Sequence, residues 1–517
     1  MPTYLSPGVY MEEVSSGMKP VEGVGTAVAA FVGFAEKGPL NEPILVTNWT
    51  QFTNTFGDFV DSAYLAHSVY GYFLNGGGVA YVVRVAGGSA AGAEAPQAIE
   101  APTARAELPV AGEGRPLVIK AIEAGAGGNG ITVEVQDASE PTEDNFKVVI
   151  RKDGQEEVFD NLTVRRGPSS VVSALRQSRW VTVEELRGSP LALPQRGSTL
   201  QLTGGNVAEP VEPTAEISAA DYVGNAADRT GFGGLETCED VTMLAVPDLI
   251  TAYQAGLIDD EGFKAVQLAM IAHCELMGDR VAILDPPPEK NAQQIKDWRS
   301  NYAGYDSKYA TLYWPPIKVM NPLDGKRMFM PPSGHIAGVW AQTDGTRGVH
   351  KAPANLVLRG VVSLESNITR GEHDQLNPIG VNCIRNMGAQ GLRVWGARTL
   401  SSDPEWRYLN VRRLFNYVEK SILNGTNWVV FEPNDALLWQ AVRRNIIMFL
   451  RGLWRSGALF GATPEQAFYV KCDAENNPAE TRDVGILNVD IGIAPVKPAE
   501  FVIFRISQLS EGAELAE

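Results

Sequence analysis

Runs of apolar residues predict short strands and helices in residues 25–86. Three strands are predicted, at Val28–Gly33, Ile44–Val46 and Val79–Val85. Asn48 stands immediately before a stretch that ends at Phe56, which is the position of a helix N-cap. A second helical stretch, Ala63–Leu74, is followed by an Asn and three glycines that stop it. The order β-β-α-α-β follows, with residues 1–24 as an N-terminal arm in front of it.

Composition and periodicity change after Ala86. Residues 87–113 are rich in Ala, Gly, Pro and Glu without a clear period, as in a linker, and a second Pro- and Gly-rich stretch spans 204–213. Between them the pattern is typical of β-structure. Strands are predicted there at Val118–Ile122, Ile131–Val135, Phe146–Ile150 and Glu157–Phe159. We therefore predict an inserted, β-rich domain at residues 87–220.

From Asp221 onward, strand-like and helix-like stretches alternate. Strands are predicted at Val241–Val246, Arg280–Asp285 and Ala310–Trp314, and helices at Phe263–Met277 and Asn291–Asn301. This alternation is typical of a sheet covered by helices. Residues 221–380 are therefore interpreted as the second part of the α/β core that residues 25–86 begin.

The last third predicts a separate C-terminal α+β domain at residues 381–499. Its strands are predicted at Gly391–Thr399, Trp428–Phe431 and Ile486–Ile491. Its helices are predicted from Asp403 and Pro404 to Asn424 and Gly425, and from Asp435 to Ser456 behind a cap at Asn434. The predicted fold class is α/β and α+β multidomain, with an α/β core, an inserted all-β domain, this C-terminal domain and extended β-strand terminal arms.

Both ends of the chain carry residues typical of strands, although chain termini are usually polar. Tyr4–Val14 and Phe501–Leu509 are each rich in aromatic and β-branched residues. A strand without a partner in its own chain can pair with another chain. We predict strand exchange between subunits by the arm 1–24 and by a second arm, 500–517. The residues predicted to pair are Val9, Tyr10, Met11, Phe501, Val502, Ile503, Phe504, Arg505 and Ile506.

Charge and composition argue against several classes of partner. The 517 residues carry a formal net charge of −17, whereas nucleic-acid binding needs clustered Lys and Arg. No stretch reaches the ~20 apolar residues of a membrane helix, and no secretory signal is visible. We expect assembly in the cytoplasm, without nucleic acid and without direct membrane insertion. The four cysteines are far apart and are predicted to be free thiols.

Catalytic motifs are missing from the sequence. It contains no HExxH, no P-loop lysine and no GxSxG. Asp248 and Asp285 follow predicted strands, where α/β enzymes often place carboxylates, so an α/β enzyme using them is one alternative. Without a motif around them, we favour carboxylates that cap helices. No metal or cofactor site is predicted.

One predicted helix carries clustered basic residues. On Asp435–Ser456, Arg451 and Arg455 follow Arg444 by seven and eleven residues and fall on one stripe. A solvated face with basic residues near the helix C-terminus is one interpretation. A docking stripe for an acidic partner is the sharper hypothesis in so acidic a chain.

Several motifs together resemble the contractile tail sheath proteins of phages and phage-derived extracellular injection systems. They are Tyr4–Tyr10 followed by Glu12 and Glu13, Gly25–Gly33 with Gly38 and Pro39, the turn Gly127–Gly130, Val381–Thr399 and Ile486–Leu509. The similarity covers both ends and most of the core. It is weakest over residues 87–220, as expected for a variable insertion.

The resemblance implies a structural subunit without catalytic activity or cofactor. Such subunits stack as hexameric rings around an inner tube, exchange terminal arms and contract to drive the tube through a target envelope. The implied partners are other copies of the chain, the inner tube protein, and baseplate and terminator proteins. The implied location is a phage tail or a tail-like particle, including particles released from the cell. Another structural tail component, such as a tube or baseplate protein, is the remaining alternative.

Two expectations about orientation complete this picture. The linker-like borders of residues 87–220 predict that the insertion faces outward in the assembly. Exposed charge pairs suit a contact that must hold and then release, so Arg444, Arg451 and Arg455 are predicted to face the inner tube.

Overall fold

The computed structural model describes most of the chain. The described residues are 20–60, 63–86, 103–110, 116–122, 126–142, 144–152, 155–165, 167, 169–183, 192–204 and 217–505. The chain forms two compact units. The body is built from residues up to 88 and from 215 onward, and the inserted unit from residues 89–214.

The strands of both units are numbered along the chain. They are β1 (Val28–Gly33), β2 (Ile44–Val46), β3 (Val79–Arg84), β4 (Arg105–Glu107), β5 (Val118–Ala121), β6 (Thr132–Gln136), β7 (Asn145–Lys152), β8 (Gln155–Thr163), β9 (Val181–Val183), β10 (Thr199–Gln201), β11 (Met243–Ala245), β12 (Val281–Leu284), β13 (Ala310–Trp314), β14 (Ile317–Met320), β15 (Arg327–Met330), β16 (Val361–Leu364), β17 (Val381–Asn386), β18 (Leu392–Val394), β19 (Phe468–Lys471) and β20 (Asp490–Ile493).

The helices are numbered in the same way. They are α1 (Trp49–Phe56), α2 (Leu65–Leu74), α3 (Val171–Leu175), α4 (Ala219–Val223), α5 (Asp248–Gln254), α6 (Asp260–Met277), α7 (Ala292–Asp297), α8 (Ser333–Arg347), α9 (Arg370–Leu376), α10 (Leu409–Thr426), α11 (Ala436–Arg455), α12 (Pro464–Ala467) and α13 (Ala479–Asp483). Short 3-10 turns lie at Ala126–Gly130, Gly233–Thr237, Asn377–Ile379, Gly388–Gln390 and Asn427–Val429, and a π-helical turn, Trp298–Ala303, follows α7.

The body is organised around an eight-stranded sheet in the order β18-β17-β13-β12-β11-β1-β3-β2. Its strands run parallel, except that β2 and β18 pair antiparallel with β3 and β17 at the two edges. Every residue of β12 and β13 is buried. Continuous burial of this kind is typical of parallel strands that are covered on both faces.

Two apolar cores cover the two faces of this sheet. Successive residues of β1 alternate between them, as the period of a strand requires: Ala30 and Val32 face one core, and Ala29 and Phe31 face the other. Helices α4 to α7 contribute to the first core, and α1, α2 and α8 to the second. The mixed α/β character of the prediction is confirmed for the body.

The first elements of the body agree closely with the sequence pattern. The order β-β-α-α-β is confirmed, and α1 spans the residues predicted for it. The Asn48 side chain accepts a hydrogen bond of 2.8 Å from the backbone N–H of Gln51, so it caps α1 as predicted. The buried faces of Phe52 and Phe56 then fix the helix against the sheet.

The inserted unit contains two antiparallel sheets. One has the order β10-β6-β7-β8 and the other β4-β5-β9. Its core includes Val133, Phe146 and Ile150. Buried residues alternate with half-buried ones along β6, whereas five of the eight residues of β7 are buried. The strands predicted here are confirmed, and the short helix α3 is an addition to the predicted all-β class.

The predicted boundary at residue 381 is wrong. β17 begins at Val381 and pairs parallel with β13, and β18 pairs with β17, so both strands belong to the eight-stranded sheet of the core. A strand's sequence does not state which sheet it joins, because apolar composition only requires that it be buried. The C-terminal part of the body therefore begins after β18.

Three further predictions in this region differ from the structure. The helix predicted from Asp403 begins only at Leu409, because Asp403 caps a turn instead and Arg407 and Tyr408 pair with Thr399 and Arg398. The strand predicted at Trp428–Phe431 is a 3-10 turn followed by loop. The closing strand predicted at Ile486–Ile491 lies later, as β20.

The C-terminal part of the body packs two long helices against a small sheet. α10 and α11 share a core that includes Leu414, Val418, Val442 and Ile446. β19 pairs antiparallel with β20 to form a two-stranded sheet beside them. Among the described residues, no helix is long and apolar enough to cross a membrane.

Candidate assembly surfaces

The C-terminal exchange segment, residues 501–506, is described as far as Arg505. Phe501, Val502, Ile503 and Phe504 are exposed to 72%, 66%, 77% and 84%. Residues 501–505 lie in no strand and form no backbone hydrogen bond to another described residue. Four consecutive large apolar side chains are thus left in solvent with unpaired N–H and C=O groups beside them. Val9, Tyr10, Met11 and Ile506 lie outside the described residues.

A fixed carboxylate precedes the exchange segment. Glu500 accepts hydrogen bonds from Arg398 at 2.6 and 2.8 Å, from the Asn377 amide at 2.8 Å and from the Tyr408 hydroxyl at 3.3 Å. Burial opposes ionisation of Glu500, but the hydrogen bonds from Arg398 and Asn377 hold the pKa of its carboxyl below the usual value. The chain is therefore anchored to the body immediately before it becomes exposed.

The sheet of β19 and β20 offers an edge for a further strand. Arg443 of α11 donates to the carbonyl of Val470 at 3.2 Å, so the outer side of β19 faces that helix. Among the described residues, β20 pairs with β19 alone. Two-stranded sheets are marginally stable alone and are completed by another strand. Directly after β20, residues 458–460 pair with residues 494–496, so the edge without a described partner is limited to β20 itself.

Helix α11 has a buried face and an exposed basic face. Its buried face includes Leu438, Val442, Ile446 and Leu450. Arg444, Arg451 and Arg455 are all exposed on the opposite side, and none forms an ion pair with another described residue. The helix begins where predicted within a residue, although its cap is Asp435, which accepts from the N–H groups of Leu437 and Leu438 at 2.9 Å.

Two apolar residues of α11 lie on its exposed face. Leu437 and Met448 fit the apolar pattern of the helix but are 75% and 52% exposed. They stand four or seven residues from Arg444 and so share its face. The exposed face of α11 is therefore a basic stripe, Arg444, Arg451 and Arg455, with two apolar side chains set into it.

Asp248 caps helix α2 from inside the core. Its carboxylate is fully buried and accepts from the backbone N–H groups of Phe34 at 2.7 Å, Leu65 at 3.2 Å and Tyr64, and from the Thr251 hydroxyl at 3.1 Å. Burial raises the pKa of the Asp248 carboxyl to about 6, against the lowering effect of these bonds. All its acceptor capacity is used in tying β1, α2 and α5 together.

Asp285 has the same role at helix α8. It follows β12 and accepts from the backbone N–H of Ser333, the first residue of α8, at 3.1 Å. Burial raises the pKa of its carboxyl to about 7. Both acids therefore fit the interpretation as helix caps, and the described residues contain no cluster of His, Cys, Asp and Glu that suits a metal ion.

The buried state of Asp285 predicts a pH dependence of stability. Between about pH 4 and pH 7, the Asp285 carboxyl keeps its proton in the folded protein, whereas in the unfolded chain, with a pKa near 3.8, it has released it. The contribution of this group to the free energy of unfolding is therefore largest below about pH 4 and is lost as the pH rises through 7. In Asp285→Asn that loss disappears. Between pH 5 and pH 8 we expect the free energy of unfolding of the variant, relative to that of wild type, to rise by at least about 1.4 kcal/mol.

Urea denaturation at each pH measures this difference. The exposed Asp483→Asn variant is the matched control and is expected to follow the wild-type profile. Parallel pH profiles for wild type and Asp285→Asn would contradict the effect of burial.

Sequence reasoning missed one buried ion pair that joins distant parts of the body. Arg413 of α10 donates two hydrogen bonds, of 3.0 and 2.5 Å, to the carboxylate of Asp344 in α8, 69 residues away. Both side chains are buried. Charged residues at this separation give no local signal, because helical spacing relates residues only three or four positions apart.

Comparison with known proteins places most of the body in one family. The family model of the phage tail sheath protein central domain matches residues 218–400, and that of the phage tail sheath C-terminal domain matches residues 401–508. Together these models cover more than half of the chain. β17 and β18 both lie within the residues that the central-domain model matches.

Individual proteins show the same similarity. The chain is 27% identical over 222 residues to the tail sheath protein of Vibrio phage KVP40, covering 42% of this chain and 31% of that protein. It is 27% identical over 303 residues to a putative prophage major tail sheath protein of Pseudomonas aeruginosa, covering 57% and 73%. It thus spans under a third of the first relative and about three quarters of the second.

A solved structure shares the fold over nearly the whole chain. It is the sheath complex of an extracellular contractile injection system, PVC, in the contracted state, with a TM-score of 0.56 and 23% identity. The match covers 98% of this chain and 99% of that chain.

Proposed function

Because this chain belongs to the family of contractile phage tail sheath proteins, we propose that it polymerises as stacked hexameric rings around an inner tube. In this proposal the sheath contracts and drives the tube through a target envelope. The observation that carries the proposal is the exposed segment Phe501–Arg505, which forms no backbone hydrogen bond to another described residue. In the same body β20 pairs with β19 alone among the described strands. Such a subunit has both halves of a strand-exchange contact.

Strand exchange supplies the links of the proposed lattice. The segment Phe501–Ile506 of one subunit adds to the β20 edge of a neighbour, and Val9, Tyr10 and Met11 form a second link. Each backbone hydrogen bond contributes about 1 kcal/mol net, so one arm contributes on the order of several kcal/mol before its ordering cost. Contacts of this head-to-tail kind generate helical arrays when they do not close.

Contraction needs subunits that move without separating. The anchor at Glu500 ties the exchange segment to its own body, while the segment itself belongs to a neighbour's sheet in the proposed lattice. The bodies can then change their packing while the covalent and β-sheet links persist. Two alternative packings of one subunit are a known form of switch.

The basic stripe of α11 is proposed to face the inner tube. An exposed ion pair contributes about 0.2–1 kcal/mol and is weakened by salt, so many such pairs hold a tube along its length without blocking release. Leu437 and Met448 add apolar contact area to the same face. The remaining proposed partners are baseplate and terminator proteins, and the insertion 87–220 is proposed to face outward.

The test is assembly on the inner tube. We expect the triple variant Arg444→Glu, Arg451→Glu and Arg455→Glu to lose most of its assembly on purified tube at low salt, because three attractive contacts become repulsive in every subunit. The matched control replaces the same three residues with Lys, which keeps the charge. Electron microscopy and co-sedimentation measure the polymer.

Assembly of the glutamate variant at the wild-type level would show that the stripe is only a solvated face. Failure of the wild-type chain to form any polymer on the tube would overturn the sheath proposal itself. The alternative of an α/β enzyme has little support, since Asp248 and Asp285 already cap helices inside the core.

A further inference from the structure

A large basic cavity lies beside the start of the exchange segment. Its volume is about 800 Å³, and Phe501 and the residues leading to it form part of its wall. Six cationic side chains and two carboxylates, Asp374 and Glu500, line it. The cations are Arg347, Lys351, Arg370, Arg385, Arg398 and Lys497. This is a concentration of positive charge in a chain whose formal net charge is −17.

Most of this positive charge is not neutralised within the described residues. Glu500 is engaged by Arg398. Lys351 donates to the carbonyls of Ala352 and Ala354 at 2.6 and 2.9 Å, which are uncharged partners. Arg347, Arg370, Arg385 and Lys497 form no ion pair with another described residue.

Unused hydrogen-bonding atoms point to a ligand. The Nε atom of Arg385, the Nε2 atom of His373 and the Oδ1 atom of Asn410 are buried and have no hydrogen-bond partner among the residues that the structure describes. All three residues line the cavity. Buried polar atoms are normally paired, since leaving one unpaired costs about 1–3 kcal/mol. Two donors are thus available to an acidic group, the Nε–H of Arg385 and the His373 imidazole with its proton on Nε2. Asn410 Oδ1 is an acceptor and takes no part in binding a carboxylate.

The same chain carries a matching acidic segment. Residues 506–517 have the sequence Ile-Ser-Gln-Leu-Ser-Glu-Gly-Ala-Glu-Leu-Ala-Glu, with Glu511, Glu514 and Glu517 and no basic residue. Glu511 follows Arg505 by six residues, which span at most about 20 Å. A short tether gives a millimolar effective concentration, which favours the segment of the same chain over that of another copy.

We infer that the cavity binds the acidic segment Glu511–Glu517 of its own chain in the unassembled subunit. Arg370 and Arg385, which form no ion pair with another described residue, are the cations that we expect an acidic peptide to engage. Binding holds the exchange segment against its own body and keeps it from neighbouring subunits. This last consequence rests on the proposed function, whereas binding in the cavity does not.

Peptide competition tests the inference. A fluorescent peptide with the sequence of residues 506–517 is titrated at low salt into the full chain and into a chain truncated after Ile506. We expect the truncated chain to bind at least tenfold more tightly, because the full chain's own segment competes. A peptide with all three Glu residues replaced by Gln is expected to bind at least tenfold more weakly than the wild-type peptide.

Protein variants locate the binding. In the truncated chain, Arg385→Gln is expected to weaken peptide binding at least fivefold, while the exposed Lys37→Gln, which is outside the cavity, leaves it unchanged. Equal binding of the peptide to both chains, or no binding, overturns the inference. Displacement of the peptide by equimolar inorganic phosphate also overturns it, because it would indicate a small-anion site. Dimerisation of the full chain that the free peptide reverses overturns it as well, because the segment would then bind another copy.

Assembly kinetics separate this inference from the proposed function. On the tube, the chain truncated after Ile506 is expected to polymerise severalfold faster than the full chain. If neither chain polymerises but the tenfold difference in peptide binding is found, the sheath proposal fails and the cavity inference stands. If both chains bind the peptide equally and both polymerise on the tube, the cavity inference fails and the sheath proposal stands.

Discussion

Removal of residues 501–517 is expected to abolish sheath assembly and to leave a folded subunit. The exchange segment forms no backbone hydrogen bond to the described part of its own chain, so the body loses little when it is removed. The lattice loses about five backbone hydrogen bonds in every subunit, together with the burial of four large apolar side chains. Without this link, each added subunit is held by fewer contacts, and we expect the polymer not to grow.

The truncation keeps Glu500, because its hydrogen bonds with Arg398 belong to the folded body. Circular dichroism reports folding, and negative-stain microscopy with sedimentation reports polymer. The chain truncated after Ile506 is the matched control, since it retains Phe501–Ile506 and is expected to assemble. Normal tubes from the chain that ends at Glu500 would refute strand exchange through this arm.

The second large effect is expected from Asp344→Ala. Arg413 is buried against Asp344, donates a further hydrogen bond of 3.0 Å to the carbonyl of Thr26 and lies 4.8 Å from the centre of the Trp340 ring. Removing the carboxylate leaves a guanidinium charge in the core without its counter-ion. Loss of one partner of a buried pair costs about 3–5 kcal/mol, so we expect a fall of that order in the free energy of unfolding.

Urea denaturation followed by tryptophan fluorescence measures this fall. The control is Glu134→Ala, which breaks the exposed ion pair between Arg151 and Glu134 and is expected to cost less than about 1 kcal/mol. The double variant Asp344→Leu and Arg413→Met removes both charges and is expected to recover much of the loss. A cost for Asp344→Ala as small as that of Glu134→Ala would mean that the buried pair does not hold α8 and α10 together.

Local signals allowed parts of the fold to be predicted from the sequence to within a residue. Helix α1 is one example, because its cap, its apolar face and its end are all encoded within nine residues. Trp428–Phe431 is the opposite case. Its aromatic and β-branched residues are typical of a strand, but Phe431 is fully exposed, so nothing in the described chain supplies a neighbouring strand. Aromatic and β-branched residues indicate a tendency to be buried. They do not show whether a segment is covered within its own chain or stays on the surface.

The candidate sites divide in the same way. The exchange segment is visible in the sequence because its apolar residues are consecutive, and the stripe of α11 because it follows helical periodicity. The basic cavity is not visible, since its cations range from Arg347 to Lys497 and meet only through the fold. Leu437 and Met448 are apolar and yet exposed, which shows that periodicity alone does not identify which apolar residues of a helix are covered.

The order of strands in the central sheet has a consequence for synthesis on the ribosome. β1 lies between β3, which is close in sequence, and β11, which is distant: Val28 donates a hydrogen bond to Thr242, 214 residues later. At about 5–20 residues per second, translation of that interval takes about 10–40 s. Throughout this time one edge of β1 has no partner, and an apolar strand edge is a site of aggregation. The nascent chain therefore needs protection until the inserted unit has been translated and β11 has emerged.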